Sequence, residues 1–167
     1  GRARWRHAVA AFSTASGTAT EPARRAAARV GRRTALALHA AGEYGCRVTT
    51  TTVSTEQLAL ARERVQASGL QGRIELLDQD YRALTGTYDK LVSIEMIEAV
   101  GHAYYDTYFA QCARLLRPEG AMLLQAITIQ DQRYRHYRRS VDFIQEYVFP
   151  GGNVPSVGAI CAAVAAV

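Results

Sequence analysis

Two glutamates three residues apart, Glu95 and Glu98 in "LVSIEMIEAVGH" (Leu91–His102), follow directly on an apolar run. Carboxylates just past the carboxyl end of a buried strand stand where open α/β sheets bind their ligands, placed to move a proton or orient an anion. Two other stretches repeat the arrangement. "TTTTVSTEQ" closes a β-branched run and opens a helix through Thr52, Val53, Ser54 and Gln57. Hydroxyls beside a helix N-terminus can hold a ribose or a carboxylate. "DQDY" closes a third run with Asp80, an acceptor for an adenine amine, and Tyr81, a ring able to stack. Each stretch alone is equally well explained by capping. Three in series on one sheet edge make a crevice, and with no Walker loop or nucleophile elbow in the chain a nucleotide-type cofactor is the natural ligand.

The elements that must position these residues alternate between helix and strand. "ALALHAAGEYG" predicts a short helix from Ala35, and "CRVTTTTVS" a strand over Cys46–Val53. Ser54 as N-cap with Gln57 three residues on forms a capping box for "TEQLALARERVQAS", a helix that Gly69 ends. Strands follow at Arg73–Leu77 and Lys90–Glu95, joined by a crossover through "DQDYRALTGTYD". "AYYDTYFAQCARLL" is an amphipathic helix stopped by Pro118 and Gly120, its tyrosines mostly core with one at most beside a substrate. "GAMLLQAITI" reads as a strand buried on both faces. "SVDFIQEYVF" reads as a helix before Pro150, and Pro155–Ser156 start a last, alanine-rich one. The pattern predicts an α/β fold with a parallel sheet.

Composition narrows the class further. One domain suits 167 residues, and no run of 18 apolar residues suggests a membrane span. Cys46, Cys112 and Cys161 have neither CxxC nor metal-ligand spacing and read as reduced thiols of a cytoplasmic protein. Charge is unevenly placed. Residues 1–34 carry eight arginines against Glu21 alone, whereas residues 35–167 carry 12 basic residues against 14 acids. Residues 1–34, built almost entirely of Ala, Arg, Gly, Thr and Ser, read as a low-complexity basic segment, disordered or loosely helical. "QDQRYRHYRRS" concentrates Arg133, Arg135, Arg138 and Arg139; a solvated loop is its plain reading, and contact with phospholipid headgroups its functional one.

Four stretches, "VTTTTVSTEQLALARERV", "DYRALTGTYDKLVSIEMIEAVGHAYYDTYF", "RLLRPEGAMLLQAITI" and "FIQEYVFPGGNVPS", resemble the cyclopropane-fatty-acyl-phospholipid synthases and the related mycolic acid cyclopropane synthases. The resemblance runs from about Ala35 to Ile160. It implies a Rossmann-like class I methyltransferase sheet, S-adenosyl-L-methionine as methyl donor, and a cis-unsaturated phospholipid acyl chain as substrate, met at the inner face of the membrane. In that family the alkene takes the sulfonium methyl, a bound bicarbonate ion removes a proton from it, and a ring closes. Glu98 matches the glutamate beside the bicarbonate, and Ile94 a position whose backbone lies nearby. A glutamate there shares a proton with the anion or orients it, and like charge then raises its pKa. Thr52, Val53, Ser54 and Gln57 match the ribose and methionine side, and Asp80 and Tyr81 the adenine side. Glu95 has no such match and reads as the polar end of a strand; His102 reads as a helix-start residue.

The same resemblance marks departures. The first strand and its glycine-rich loop, which cradle the cofactor's methionine end, are not recognisable: "ARRAAARVGRRT" stands there, with Gly31 alone. An abrupt change near Thr34–Ala35 is what a shifted reading frame in a GC-rich gene produces, leaving 35–167 as a partial methyltransferase domain. The family's C-terminal tyrosine-containing region is expected beyond Val167. Gln125 stands where many relatives have a histidine at the bicarbonate site; its amide donates to an anion but carries no proton. Two alternatives stay open: a non-catalytic remnant or binding module with a basic N-terminal arm, and a small-molecule methyltransferase of the same fold. Neither a metal nor a nucleic-acid partner is expected.

Overall fold

The computed structural model describes residues 9–13, 32–52, 55–140, 146 and 152–167. Its strands are β1 (Val9–Ser13), β2 (Arg47–Thr51), β3 (Ile74–Leu77), β4 (Tyr88–Ile94) and β5 (Leu116–Gln125). Its helices are α1 (Arg32–Glu43), α2 (Thr55–Ala67), α3 (Ile97–Val100), α4 (Tyr105–Leu115), α5 (Asp131–Tyr137) and α6 (Val157–Val164). The strands form one sheet in the order β3-β2-β1-β4-β5. β2 pairs with β3, and β4 with β5, in parallel.

Between these two parallel pairs lies β1, antiparallel to both neighbours. Its register sets Val9 against Ser93 and Ser13 against Arg47. The sheet is therefore mixed, which corrects the expectation of a purely parallel one. Five residues of the basic N-terminal segment, Val9–Ser13, complete the central ladder. "VAAFS" escapes detection because five residues with one aromatic give little periodicity to read. The predicted helix over "EPARRAAARV" lies outside the described residues, as do all but Glu146 of "SVDFIQEYVF".

Two apolar clusters clamp the sheet. Leu91 belongs to one and its neighbour Val92 packs against the other. Successive strand side chains point to opposite faces, so the clusters lie on opposite sides. α1 and α2 contribute Ala37, Ala41 and Val65 to one, against Val48 and Ile74. α4 builds the other through Tyr105, Tyr108, Phe109, Cys112 and Leu115, a spacing of three and four that makes one continuous stripe. Tyr108 is fully buried and donates to the Ser93 hydroxyl of β4 at 2.7 Å, which satisfies both polar groups inside the core.

β5 departs from expectation twice. Its residues alternate between half-buried and exposed, with Leu123 58% exposed, so it is not covered on both faces. It closes the sheet as an edge strand, where Leu116, Met122 and Leu124 reach a core. Pro118 and Gly120 do not stop α4, which ends at Leu115; they lie inside the strand, where an irregular register between Tyr88 and Lys90 takes up residues 117–120. An edge position tolerates a proline that a central strand would not. "QDQRYRHYRRS" is no loop: α5 takes up Asp131–Tyr137.

Candidate functional site

The carboxyl ends of β2, β3 and β4 bring the three predicted stretches to one edge. At β2, buried Thr52 holds its backbone through Thr52 N–H to the Leu77 carbonyl at 3.1 Å and donates its hydroxyl to Gln57 Oε1 at 3.3 Å. Gln57 thus meets Thr52, with α2 starting at Thr55; Val53 and Ser54, and with them the cap assigned to Ser54, lie outside the described residues.

Beyond β3, Asp80 caps a short 3-10 turn over Tyr81–Ala83 by accepting from Arg82 N–H at 2.9 Å. The Arg82 guanidinium also grips it, Nε on Oδ1 at 2.8 Å and Nη2 on Oδ2 at 2.9 Å. A carboxylate oxygen has two lone pairs, so acceptance from a ligand amine remains open to Asp80, but shared with an exposed arginine. Tyr81 is half-buried with its ring edge-on to Tyr108 at 5.6 Å, and burial raises its pKa.

The end of β4 is the most elaborated. Ile94 is buried and lies in register with Gln125 of β5. The next residue, Glu95, has φ +47° and donates its N–H to the Gln125 carbonyl at 2.9 Å. Gln125 Nε2 returns a bond to Glu95 Oε1 at 3.3 Å. Glu98, in α3, accepts from the Ile127 N–H at 2.6 Å through Oε1. Its Oε2 is buried and without a hydrogen-bond partner. A buried carboxylate oxygen left unpaired costs free energy unless something donates to it.

Three residues that the sequence did not single out hold this glutamate. Ile127 supplies the N–H. Asn153, buried, donates its N–H to the Glu98 carbonyl at 2.6 Å. Tyr105, 4% exposed, hydrogen-bonds the Asn153 carbonyl at 3.3 Å and meets Tyr134 of α5. Burial foremost, then Tyr134 and Glu98, drives the Tyr105 pKa far up, so this phenol stays a neutral donor. Asn153 belongs to "FPGGNVPS" and Tyr105 to "AYYDTYF", so their signal was present in stretches already quoted. The bond from Asn153 to Glu98 joins "FPGGNVPS" to "SIEMIE". Gly101, φ +81°, turns the chain from α3 into the 3-10 turn His102–Tyr104, a backbone state that suits glycine.

Elsewhere, a cleft of about 440 Å³ lined by Arg47, Gln71, Arg73, Glu75 and Tyr88 opens on the opposite edge of β2–β4. It is remote from these carboxylates in the sheet and has no part in the site. Among the described residues no cluster of His, Cys, Asp and Glu could hold a metal ion.

Residues 33–167 match the family model described as mycolic acid cyclopropane synthetase. The chain belongs to this family. Cyclopropane synthetase relatives include the tuberculostearic acid methyltransferase UfaA1 of Mycobacterium tuberculosis, 45% identical over 120 residues, which are 72% of this chain and 28% of that protein. The cyclopropane-fatty-acyl-phospholipid synthase of Escherichia coli is 42% identical over 123 residues, 73% of this chain and 30% of the relative. Mycolic acid cyclopropane synthase CmaA1, solved in complex with SAH and CTAB, superposes with a TM-score of 0.70 at 27% identity, covering 78% of this chain and 49% of its own. The chain therefore spans about a third of the length of the curated relatives it matches. Its fold is the class I methyltransferase fold, incomplete, with the sheet order of a doubly wound protein and a reversed central strand. Among the described residues no helix is long and apolar enough to cross a membrane.

Proposed function

We propose that this site takes part in S-adenosyl-L-methionine-dependent transfer of a one-carbon unit to the cis double bond of an unsaturated phospholipid acyl chain, closing a cyclopropane ring. Support comes from the family, from the names of the relatives, and above all from Glu98, whose buried Oε2 lacks a donor while Oε1 is fixed by Ile127. S-adenosyl-L-methionine, when bound, supplies an electrophilic methyl group. Thr52, Val53, Ser54 and Gln57 would hold its ribose and methionine part, and Asp80 and Tyr81 its adenine. A bicarbonate ion suits the glutamate: its hydroxyl would donate to Oε2, the atom that wants a donor. Glu98 then orients that base, Ile94 and the Gln125 amide border it, and the apolar residues around them keep water from the cationic acyl chain.

Isothermal titration with S-adenosyl-L-methionine tests cofactor binding, and transfer of labelled methyl to unsaturated phospholipid vesicles tests the reaction. Glu98→Gln should leave the titration unchanged and lower transfer about a hundredfold or more. Absence of binding heat from the parent chain would overturn the reading in favour of a non-catalytic remnant or binding module. Methylation of small hydroxylated or aminated acceptors in place of the lipid would overturn the substrate assignment.

A further inference from the structure

The arginines of α5 and of the two residues that follow it are exposed. On this helix Tyr134 and Tyr137 point to the protein: Tyr134 meets Tyr105, and the Tyr137 hydroxyl accepts from Val154 N–H at 3.4 Å. At 100° per residue, Arg135 and His136 then lie on the opposite side and Arg139 continues it just past the helix end, while Arg133 and Arg138 fall nearer the tyrosines, Arg138 over the Tyr134 ring at 5.9 Å. All five are exposed. Four of the 12 basic residues after position 34 thus fall within residues 133–139. Among the described residues no salt bridge ties any of these four arginines to an acid.

Apolar side chains border the amino end of the same helix. Ile127, four residues before α5 and 62% exposed, carries the N–H that holds Glu98. Val157, 56% exposed, opens α6 beside Gly158, whose N–H bonds the first residue of α5, Asp131, at 2.9 Å. A Cβ on Gly158 would stand 2.5 Å from Asp131 Oδ1, so glycine is needed for this close approach.

We infer that α5, with Ile127 and Val157 at its amino end, is the face by which the protein docks on an anionic lipid surface. An outward arginine face beside exposed branched apolar residues is the composition of an interfacial element, with cations at the headgroups and aliphatic groups at the acyl boundary. Nucleic acid fits less well, because the tyrosines that could stack on bases are turned inward. The inference rests on the lipid reading of the site and gives it an orientation: Ile127 joins the lipid-facing surface to Glu98 through one peptide unit, so an acyl chain leaving the bilayer here has the shortest route to the carboxylate.

Co-sedimentation of the whole chain with phosphatidylglycerol vesicles, across a salt series and against phosphatidylcholine vesicles, tests it. Near such a surface each arginine contributes about 1 kcal/mol, so Arg135→Gln with Arg139→Gln should weaken binding about thirtyfold. Residues 1–34 hold eight arginines of their own, so a local reporter is needed. With Trp5→Phe removing the chain's single tryptophan, Gln132→Trp places one on α5, and its emission should shift to the blue on the anionic vesicles. Binding that ignores the paired substitution, that is equal on phosphatidylcholine, or that leaves the new tryptophan unmoved overturns the inference. So does binding to a single-stranded oligonucleotide but not to vesicles. No methyl donor is involved, so failure here leaves the titration with S-adenosyl-L-methionine standing, and failure of that titration leaves this result standing.

Discussion

Glu95 holds a left-handed backbone conformation, φ +47°, which costs an L-residue with a Cβ roughly 1–2 kcal/mol. Against this its carboxylate accepts a long bond from the Gln125 amide at 3.3 Å. Glu95→Gly should therefore raise stability by about 1 kcal/mol and the melting temperature by about 2–4 °C. Thermal melts followed by circular dichroism check this, and a lowered melting temperature would show that the carboxylate's bond outweighs the backbone strain. Glu98, three residues on, differs in kind: its carbonyl is held by Asn153 and one carboxylate oxygen by Ile127. A sequence can show that two acids follow a strand. Which of them is built into the protein depends on residues 29 and 55 positions away, which no local pattern contains. Asp80 illustrates the converse, since its capping of Tyr81–Ala83 and its grip by Arg82 are the local uses that its position already suggested.

At the scale of elements, α4 concentrates groups that resist ionisation. Burial pushes Tyr105 and Tyr108 well above the ordinary tyrosine value of 10.0, and pushes Cys112 from 9.0 to about 12. Raised values in the folded chain mean that their contribution is complete below pH 9. It declines as pH rises through 9 to 12, where the unfolded chain has shed protons that the folded one retains. Urea midpoints measured from pH 8 to pH 11.5 should fall, by up to about 1.4 kcal/mol per pH unit for each group. Tyr108→Phe should remove one of these groups and flatten the slope. It should also cost about 1–3 kcal/mol at pH 7, because the Ser93 hydroxyl loses its buried partner. α4 was legible because an apolar stripe over eleven residues has a period. β5 was misjudged because its apolar run looks the same whether one face or two are covered, and coverage is decided by where the strand falls in the sheet. α5 was missed because an arginine-rich segment with two inward tyrosines has too few apolar positions to mark a helix.

For the whole molecule, β2 to β5 with α1, α2, α4 and α6 follow the order that their sequence pattern implied, α3 and α5 are additions to it, and the family's fold accounts for the arrangement. The centre of the sheet does not follow from that pattern. β1 pairs on both sides, so a proline within it should break the ladder: Ala11→Pro should destabilise the chain by roughly 3 kcal/mol or more. Unchanged denaturant midpoints would show instead that the two parallel pairs hold together without this strand. Our proposal that residues 1–34 come from a shifted frame is tested at the gene: translating its other frames should yield a glycine-rich strand and loop just upstream of Ala35, and their absence would refute it. The polarity of β1 has a consequence for the ligand edge. Because Val9 faces Ser93 and Ser13 faces Arg47, the chain enters this strand beside Glu95 and Glu98 and leaves it at the far side of the sheet. The carboxyl end of this strand therefore lies at the edge of the sheet opposite Thr52, Asp80 and Glu98. No point substitution inside "VAAFS" can bring it round. A strand whose carboxyl end joined the ligand edge would have to run the other way, leaving the sheet where β1 enters it.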